Sequence, residues 1–265
     1  MPKKNKAMSG ILFDKVIFGP IHSRRLGNSL GINLMPEDIK YCTFNCIYCE
    51  CGWAQTSEVE YRHLLHAKDM IPILETRFQQ LHDNGTQIDS ITYSGNGEPT
   101  LHPEFEEITN KIIELRNQYY PHTIISCLSN STQLHRPDVL RTLQAIDNPL
   151  LKLDAGTQSM FDAINQPFKH IDIDELTENL CKFNGQLTIQ TLLLRGMHDG
   201  KIIDNTTIEE VQAWLERIKR IHPHTVMLYP IDRETPEKEL IKLSKEELEK
   251  VKEKVEQLGI KTLIY

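Results

Sequence analysis

Residues 42–49 read Cys42-Thr43-Phe44-Asn45-Cys46-Ile47-Tyr48-Cys49, which gives three cysteines the spacing C-x3-C-x2-C. Three thiolates this close in sequence converge on one point only if the loop wraps around a bound group. A cluster of four irons with only three protein thiolates leaves one iron open for another ligand. The spacing therefore predicts a loop that holds an iron–sulfur cluster, with Cys42, Cys46 and Cys49 as its ligands.

A zinc site is the alternative interpretation of the same cysteines. Structural zinc takes four ligands, usually as two separated pairs of cysteine or histidine. The second pair is missing here, although Cys51 or His63 would supply a fourth ligand. The spacing favours the iron–sulfur cluster, and metal content distinguishes the two sites.

Short apolar segments alternate with amphipathic helical patterns along the chain. The predicted strands are residues 29–34, 88–94, 122–129, 149–155, 187–195 and 225–231, with a final short strand at 261–265. The predicted helices are residues 66–84, 103–119, 137–145, 159–164, 172–183, 207–221 and 244–258. This alternation predicts a parallel sheet covered by helices. An open doubly wound sheet and a barrel with fewer strands than a closed TIM barrel both fit the pattern.

Polar residues follow the ends of most of these predicted strands. In parallel α/β folds, chemistry takes place at the carboxyl ends of the strands, so the pattern predicts an active site at that rim. The polar groups, in order of the second to the sixth strand, are residues 94–98, residues 129–132, Asp154, Arg195 and residues 232–233.

Composition narrows the class of protein. The chain has 265 residues and a formal net charge of −7. This charge argues against a broad basic surface, so nucleic acid is a possible but disfavoured partner. Three of the six cysteines are clustered, which is unlike a secreted disulfide framework. The sequence has no long uncharged apolar run, and residues 1–9 are basic without the apolar core of a secretory signal. We therefore expect a cytoplasmic protein that does not cross a membrane.

The pattern C-x3-C-x-aromatic-C, with Tyr48 before the last cysteine, resembles the signature of the radical SAM superfamily. The resemblance implies an α/β fold, a partial (β/α)6 TIM-like barrel. It implies that residues 1–265 form a single core domain, with residues 1–28 as an N-terminal extension leading into the first strand. The implied cofactors are a [4Fe–4S] cluster and S-adenosyl-L-methionine (SAM), whose amino and carboxylate groups chelate the fourth iron.

The same resemblance implies the chemistry. One electron from an external reductant, such as flavodoxin or ferredoxin, would cleave SAM into methionine and a 5′-deoxyadenosyl radical. That radical would abstract hydrogen from a substrate that the sequence does not identify, either a small molecule or a nucleoside within RNA. The protein would bind and orient both partners, while the cofactor carries the difficult chemistry.

A second motif, Ser94-Gly95-Asn96-Gly97-Glu98-Pro99, resembles the GGEP motif of the family but departs from it at Asn96. The family pattern implies that SAM contacts come from two groups of residues. The first group is Gly95, Asn96, Gly97 and Glu98, and the second is Tyr48, Ser129, Asn130, Lys152, Asp154 and Gln190. Lys152 and Asp154 lie on one face of their strand, so they would either contact SAM or pair with each other.

The segment before the cysteines, residues 20–31, resembles small Fe–S oxidoreductases related to wyosine-forming and nitrogenase-cofactor-forming enzymes. Arg24 and Arg25 in this segment, and Arg233 after the sixth strand, are candidate substrate-binding residues. Guanidinium groups bind phosphate and carboxylate bidentately, so these arginines predict an anionic substrate group.

Two alternative functions stay open from the sequence. The chain would be a glycyl-radical-enzyme activase, which its size and single cluster motif allow, or a non-catalytic, zinc-stabilised binding module. The binding module predicts zinc without iron, and the activase predicts a glycyl-radical partner protein.

Overall fold

The computed structural model describes residues 10–54 and 64–265. The expectation for residues 1–9 and the alternative zinc ligand His63 lie outside the described residues. The strands are β1 (Ile17–Ser23), β2 (Gly27–Ile32), β3 (Ser90–Tyr93), β4 (Ile124–Ser129), β5 (Asn148–Lys152), β6 (Thr188–Leu192), β7 (Leu194–His198), β8 (Lys201–Asp204), β9 (Thr225–Tyr229), β10 (Leu240–Lys242) and β11 (Lys261–Ile264). The helices are α1 (Ala67–Asp83), α2 (Phe105–Tyr119), α3 (Pro137–Ala145), α4 (Gln158–Asn165), α5 (Ile173–Cys181), α6 (Ile208–Ile221) and α7 (Lys245–Glu256).

One large sheet carries the fold. Its strand order is β1-β2-β3-β4-β5-β6-β9-β11, and every neighbouring pair from β2 onward is parallel. Strand β1 adds to the edge as an antiparallel partner of β2. The predicted α/β class is confirmed, and the parallel sheet is similar to that of partial TIM-like barrels. Among the described residues, no helix is long and apolar enough to span a membrane.

The predicted helices are present, with ends displaced by at most two residues. Helix α1 shows why the prediction succeeds, because Met70, Leu74, Phe78 and Leu81 recur every three or four residues and are all buried. This spacing places one apolar stripe against the sheet. Gly85 follows the helix with a φ of +67°, a conformation that favours glycine after a helix end.

The predicted fifth strand, residues 187–195, is wrong in its second half. The chain leaves the large sheet after β6, and β7 joins a separate antiparallel sheet with the order β10-β7-β8. Arg195 therefore lies in this smaller sheet and not at the rim, where it pairs with Glu247 at 2.7 Å. The dipeptide Asp199-Gly200 forms the two-residue turn between β7 and β8, and both residues have positive φ. Asp-Gly is a strong hairpin signal in a sequence, so this element was predictable.

The N-terminal segment is also more structured than the sequence predicts. Residues 17–23 form β1, so part of the predicted extension belongs to the large sheet. The turn between β1 and β2 is held by Ser23, whose Oγ accepts hydrogen bonds from the backbone N–H groups of Arg25 and Leu26. This turn brings Arg24 and Arg25 to the residues that follow β9, as described below.

His102 follows the short 3₁₀ turn Pro99–Leu101 and is fully buried. Its Nδ1 accepts a hydrogen bond from the N–H of Glu104 at 3.1 Å, and its Nε2 lies 3.1 Å from the carbonyl oxygen of Leu65. The neutral tautomer with a proton on Nε2 therefore satisfies both ring nitrogens. Burial lowers the pKa of His102, because the charged imidazolium would lose its hydration.

We expect acid to destabilise the protein through His102. Below the ordinary histidine pKa of 6.5, the unfolded chain takes up a proton that buried His102 does not, so the unfolding free energy falls until the folded pKa is reached. Urea unfolding across this range measures the effect. His102→Gln should show a weaker pH dependence than the wild type, whereas the exposed control His122→Gln should keep it. Equal pH dependence in all three chains would contradict this role of His102.

Candidate active site

The predicted polar residues come together at the carboxyl edge of the large sheet. The cysteine loop follows β2, the Gly95–Glu98 segment follows β3, and Ser129 and Asn130 lie at the end of β4. Lys152 ends β5, and Asp154 comes two residues later. Gln190 lies within β6, in register with Lys152. The structure thus gathers residues from five strands at one edge, as the sequence predicts.

The cysteine loop has no regular secondary structure, and its backbone is fixed by neighbouring segments. Asn45 N donates to the carbonyl oxygen of Asn165 at 3.0 Å, and Ile47 N donates to that of Ile164 at 3.0 Å. Both acceptors lie at the end of α4. On the opposite side, Tyr41 N donates to the carbonyl oxygen of Asn96 at 2.8 Å. The loop is therefore held in place between α4 and the segment after β3.

Two thiols of the loop, those of Cys42 and Cys46, have polar neighbours from distant parts of the chain. Asn130 Nδ2 donates to Cys42 Sγ at 3.4 Å, and the thiol of Cys46 donates to Asn165 Oδ1 at 3.6 Å. Lys40 is buried, only 4% exposed, and its Nζ donates to the carbonyl oxygen of Gly52 at 3.0 Å. The ammonium group therefore lies inside the loop that carries the cysteines.

The pKa shifts of the three thiols differ in direction and in cause. Burial raises the pKa of Cys42 to about 12 and also raises the pKa of Cys46, although Lys40 opposes both shifts. The neighbouring Cys51 thiol lowers the pKa of Cys49, and Lys40 lowers it further against the effect of burial. A coordinating metal deprotonates a thiol outright, so the raised pKa values of Cys42 and Cys46 would not keep these thiols neutral once a metal is bound.

The side chain of Asn96 binds the backbone of two other segments, and its predicted role toward SAM stays a prediction. Its Oδ1 accepts from Phe13 N at 2.8 Å, and its Nδ2 donates to the carbonyl oxygens of Phe13 and Pro36, each at 2.8 Å. Asn96 is fully buried. The departure from the GGEP pattern thus joins the N-terminal segment to the cysteine loop. Gly97 has a φ of +145°, and a Cβ atom there would lie 1.7 Å from the Tyr41 carbonyl oxygen.

Glu98 connects the ends of β3 and β4. Its Oε1 accepts from Ser129 Oγ at 2.9 Å and from the hydroxyl and N–H of Thr100, and its Oε2 accepts from Asn130 N at 2.5 Å. Burial raises the pKa of this carboxyl group, and the four donors oppose the shift. The Asn130 side chain in turn donates to Thr43 Oγ1 at 2.7 Å and to Cys42. Glu98 therefore positions the cysteine loop through Asn130.

Tyr48, Lys152 and Asp154 form a compact polar group beside the cysteines. The Tyr48 hydroxyl donates to Asp154 Oδ2 at 2.5 Å, and Lys152 Nζ contacts both of these partners. Asp154 is 1% exposed, and its Oδ1 accepts from Leu192 N at 2.9 Å. Lys152 and Asp154 form the predicted ion pair, and their predicted contact with SAM stays a prediction.

Two buried amides of the site lack a hydrogen-bond partner among the described residues. They are Nε2 of Gln190 and Nδ2 of Asn165. Gln190 was a predicted cofactor residue, and Asn165 also lies against Cys46. An unpaired buried donor is costly, so both groups favour a bound molecule that accepts hydrogen bonds.

The three candidate arginines have different surroundings. Arg24 pairs with Asp232 at 2.7 Å, and Arg233 pairs with Glu50 at 2.6 Å, each on the surface. Arg25 instead lies over the ring of Tyr229, with its Cζ 4.9 Å from the ring centre. The structure thus brings Arg24 and Arg25 to the end of β9, although they precede β2 in sequence.

Sequence reasoning missed Lys40, Asn165 and the phenol of Tyr229. Burial raises the pKa of Tyr229 to about 12, with Asp154 adding to the shift, so the phenol lies among the charged groups of the site. Lys40 and Asn165 carry no signal of their own, because a single lysine or asparagine is common on any surface.

No group of three or more histidine, cysteine or carboxylate side chains within residues 10–54 and 64–265 is arranged to hold a single metal ion. The cysteines nevertheless lie close enough to shift one another's pKa. A single tetrahedral zinc needs four ligands at about 2.0–2.3 Å, whereas a four-iron cluster bridges a wider space.

Comparison with known families settles the class of the protein. The sequence profile of the radical SAM superfamily matches residues 37–206, which include the cysteine loop and the strands from β3 to β8. The chain belongs to the radical SAM superfamily. This radical SAM protein is therefore an enzyme, and the cofactors of its superfamily are a [4Fe–4S] cluster and SAM. Radical SAM enzymes also require a substrate and a source of electrons.

Two bacterial relatives align with most of the length of this radical SAM protein. A protein of Brachyspira hyodysenteriae named GTPase Obg is 32% identical over 253 residues, which cover 94% of the chain and 34% of that relative. A UPF0026 protein of Helicobacter pylori is 32% identical over 237 residues, covering 88% of the chain and 71% of the relative. The chain thus spans about a third of the first relative and most of the second.

Solved structures of radical SAM proteins share the fold. A radical SAM methyltransferase from Sphaerobacter thermophilus superposes with a TM-score of 0.62 at 14% identity, covering 89% of this chain and 65% of that one. SuiB from Streptococcus suis, bound to SAM, has a TM-score of 0.60 at 17% identity, covering 86% and 48%. TYW1 with a lysine-pyruvate adduct has a TM-score of 0.56 at 15% identity, covering 86% and 73%. These identities establish a common architecture alone.

Proposed function

We propose that this enzyme cleaves SAM reductively and uses the resulting 5′-deoxyadenosyl radical to take a hydrogen atom from its substrate. Cys42, Cys46 and Cys49 would hold the [4Fe–4S] cluster. The observation that carries the proposal is the buried cysteine loop at the carboxyl edge of the sheet, with the Lys40 ammonium inside it. An external one-electron donor of the flavodoxin or ferredoxin type would supply the electron.

The residues present fit both cofactors. Three thiols with one buried ammonium suit a cluster that needs anionic sulfur ligands and a compensating charge. The unpaired Nε2 of Gln190 and Nδ2 of Asn165 supply donors for oxygen or nitrogen acceptors of a bound nucleoside or amino acid. When bound and reduced, the cluster supplies the electron that breaks a sulfonium carbon–sulfur bond of SAM.

The protein's own residues bind, orient and exclude water. Glu98 and Asn130 fix the cysteine loop from the ends of β3 and β4. Asp154 and Lys152 form a paired charge group beside the loop, and Tyr48 connects that group to the cysteines along the chain. Gln190 lies in register with Lys152, and its unpaired Nε2 would supply a donor to SAM beside this group. Burial of the site protects a reactive radical from solvent.

Neither alternative function gains support. Superfamily membership favours an enzyme over a zinc-stabilised binding module. The activase alternative stays open, because it depends on a glycyl-radical partner protein. The GTPase name belongs to the Brachyspira relative, and the present sequence contains no G-x4-G-K-[ST] phosphate-binding motif.

The test is anaerobic reconstitution with iron and sulfide, followed by EPR of the reduced protein with and without SAM and an assay for 5′-deoxyadenosine. We expect a [4Fe–4S]⁺ signal that changes when SAM is added, together with 5′-deoxyadenosine. A protein that retains zinc, takes up no iron and releases no 5′-deoxyadenosine would refute the proposal.

Lys40 should set the reduction potential of the cluster. A buried positive charge stabilises the reduced, more negative state, so Lys40→Met should lower the potential by tens of millivolts. A potentiometric titration followed by EPR measures this directly. The control Lys111→Met removes a lysine of helix α2 that is paired with Glu75 of helix α1. This control should leave the reduction potential unchanged. An unaltered potential in Lys40→Met would place its charge outside the reach of the cluster.

A further inference from the structure

Arg25 differs from the other two candidate arginines in having no carboxylate partner among the described residues. Arg24 and Arg233 form surface ion pairs with Asp232 and Glu50. An arginine that already binds a carboxylate has less to offer an incoming anion, because the two acceptors compete for the same donors. Of the three, Arg25 is therefore the one with donors left for a ligand.

The position of Arg25 is unusual for an unpaired charge. Its NH1 atom is buried and has no hydrogen-bond partner in the described part of the chain. Its guanidinium carbon lies 4.9 Å above the centre of the Tyr229 ring, which stabilises the charge but accepts no hydrogen bond in the plane of the guanidinium. A buried donor of a charged group without an acceptor is costly, and an anionic ligand would remove that cost.

Arg25 also faces the site itself. Tyr229 ends β9. The pKa of its phenol is affected by the charges of Asp154, Lys152, Arg25 and Cys46. Since Lys152 is already neutralised by Asp154, Arg25 is the uncompensated positive charge in this group. The turn between β1 and β2 places Arg25 against the Tyr229 ring.

We infer that Arg25 binds an anionic group of the substrate, a carboxylate or a phosphate, next to Tyr229. This inference rests on the proposed function, because it assigns the substrate class of the same site. A planar guanidinium forms two parallel hydrogen bonds with either anion, and the Tyr229 ring lies against the guanidinium. The substrate is thus an acid or a phosphate ester, oriented by its charged end.

The test uses the reconstituted holoenzyme with SAM bound, and calorimetric titration with two probes, inorganic phosphate and malonate. We expect the wild type to bind at least one of them. Arg25→Gln should weaken that binding by about tenfold or more, since a hydrogen bond to a charged group contributes that much. Arg25→Lys should retain part of the affinity, because lysine keeps the charge without the fork of donors. The matched control Arg141→Gln, which removes an exposed arginine paired with Glu106 on helix α2, should bind as the wild type does.

The outcomes separate the two proposals. Binding of phosphate alone identifies a phosphorylated substrate, and binding of malonate alone identifies a carboxylic acid. Equal probe affinity in the wild type and Arg25→Gln, or binding of neither probe by the wild type, overturns the inference. Reduced SAM affinity in Arg25→Gln with unchanged probe binding would overturn it too, because Arg25 would then serve SAM.

A wild type that binds the probe but forms no 5′-deoxyadenosine refutes the proposed function alone. Iron content and EPR confirm that each variant is loaded.

Discussion

Cys46→Ser is expected to remove the cluster and abolish SAM cleavage. Serine oxygen is a poor ligand for iron in this setting, and two remaining thiolates do not hold four irons. Iron content after anaerobic reconstitution should fall from about four per chain to well below one, and 5′-deoxyadenosine should fall below detection. Cys42→Ser and Cys49→Ser should behave in the same way.

Two other cysteines provide matched controls for this experiment. Cys181 lies on helix α5, away from the loop, so Cys181→Ser should retain full iron content and activity. Cys51 is the stricter control, because its thiol donates to the carbonyl oxygen of Gly95 at 3.3 Å beside the loop. Cys51→Ser should still hold the cluster. If Cys51→Ser lost the iron while Cys46→Ser kept it, the assignment of the three ligands would be wrong.

The sequence predicted most of the helices and parallel strands because they depend on local periodicity. The stripe of Met70, Leu74, Phe78 and Leu81 is visible without any tertiary information, and burial of that stripe is what the fold requires. The failures are antiparallel additions. Strand β1 lies at the sheet edge, where alternation is weak, and the β7–β8 hairpin was absorbed into a longer apolar segment despite its Asp199-Gly200 turn.

The sequence predicts which residues lie at the candidate site better than it predicts which atoms they contact. The cysteine spacing and the positions of Glu98, Asn130 and Asp154 at strand ends follow from the sequence. Their partners do not, because each contact joins segments far apart in the chain. Asn96 shows the difference: the sequence suggests a residue near SAM, whereas its amide binds the backbone of Phe13, 83 residues away.

Glu98→Ala should destabilise the protein and weaken SAM binding together. The substitution leaves four donors without their acceptor, two from Thr100 and one each from Ser129 and Asn130, inside a buried site. Unsatisfied buried donors of this kind cost about 1–3 kcal/mol each, not additively, so we expect a loss of about 3 kcal/mol or more of unfolding free energy. Urea unfolding of the holoprotein measures the loss, and titration with SAM measures the affinity.

Glu98→Gln separates the charge of this residue from its shape. The amide keeps one oxygen to accept from Thr100 and Ser129, but its NH₂ group would face the donating N–H of Asn130. Its loss of stability should therefore be smaller than that of Glu98→Ala, while the Asn130 contact to Cys42 is still disturbed. Glu107→Ala, an exposed glutamate on helix α2, should change stability by less than about 0.5 kcal/mol. Because Glu98 acts on the loop through Asn130, wild-type SAM affinity in a destabilised Glu98→Ala protein would limit Glu98 to a role in the fold.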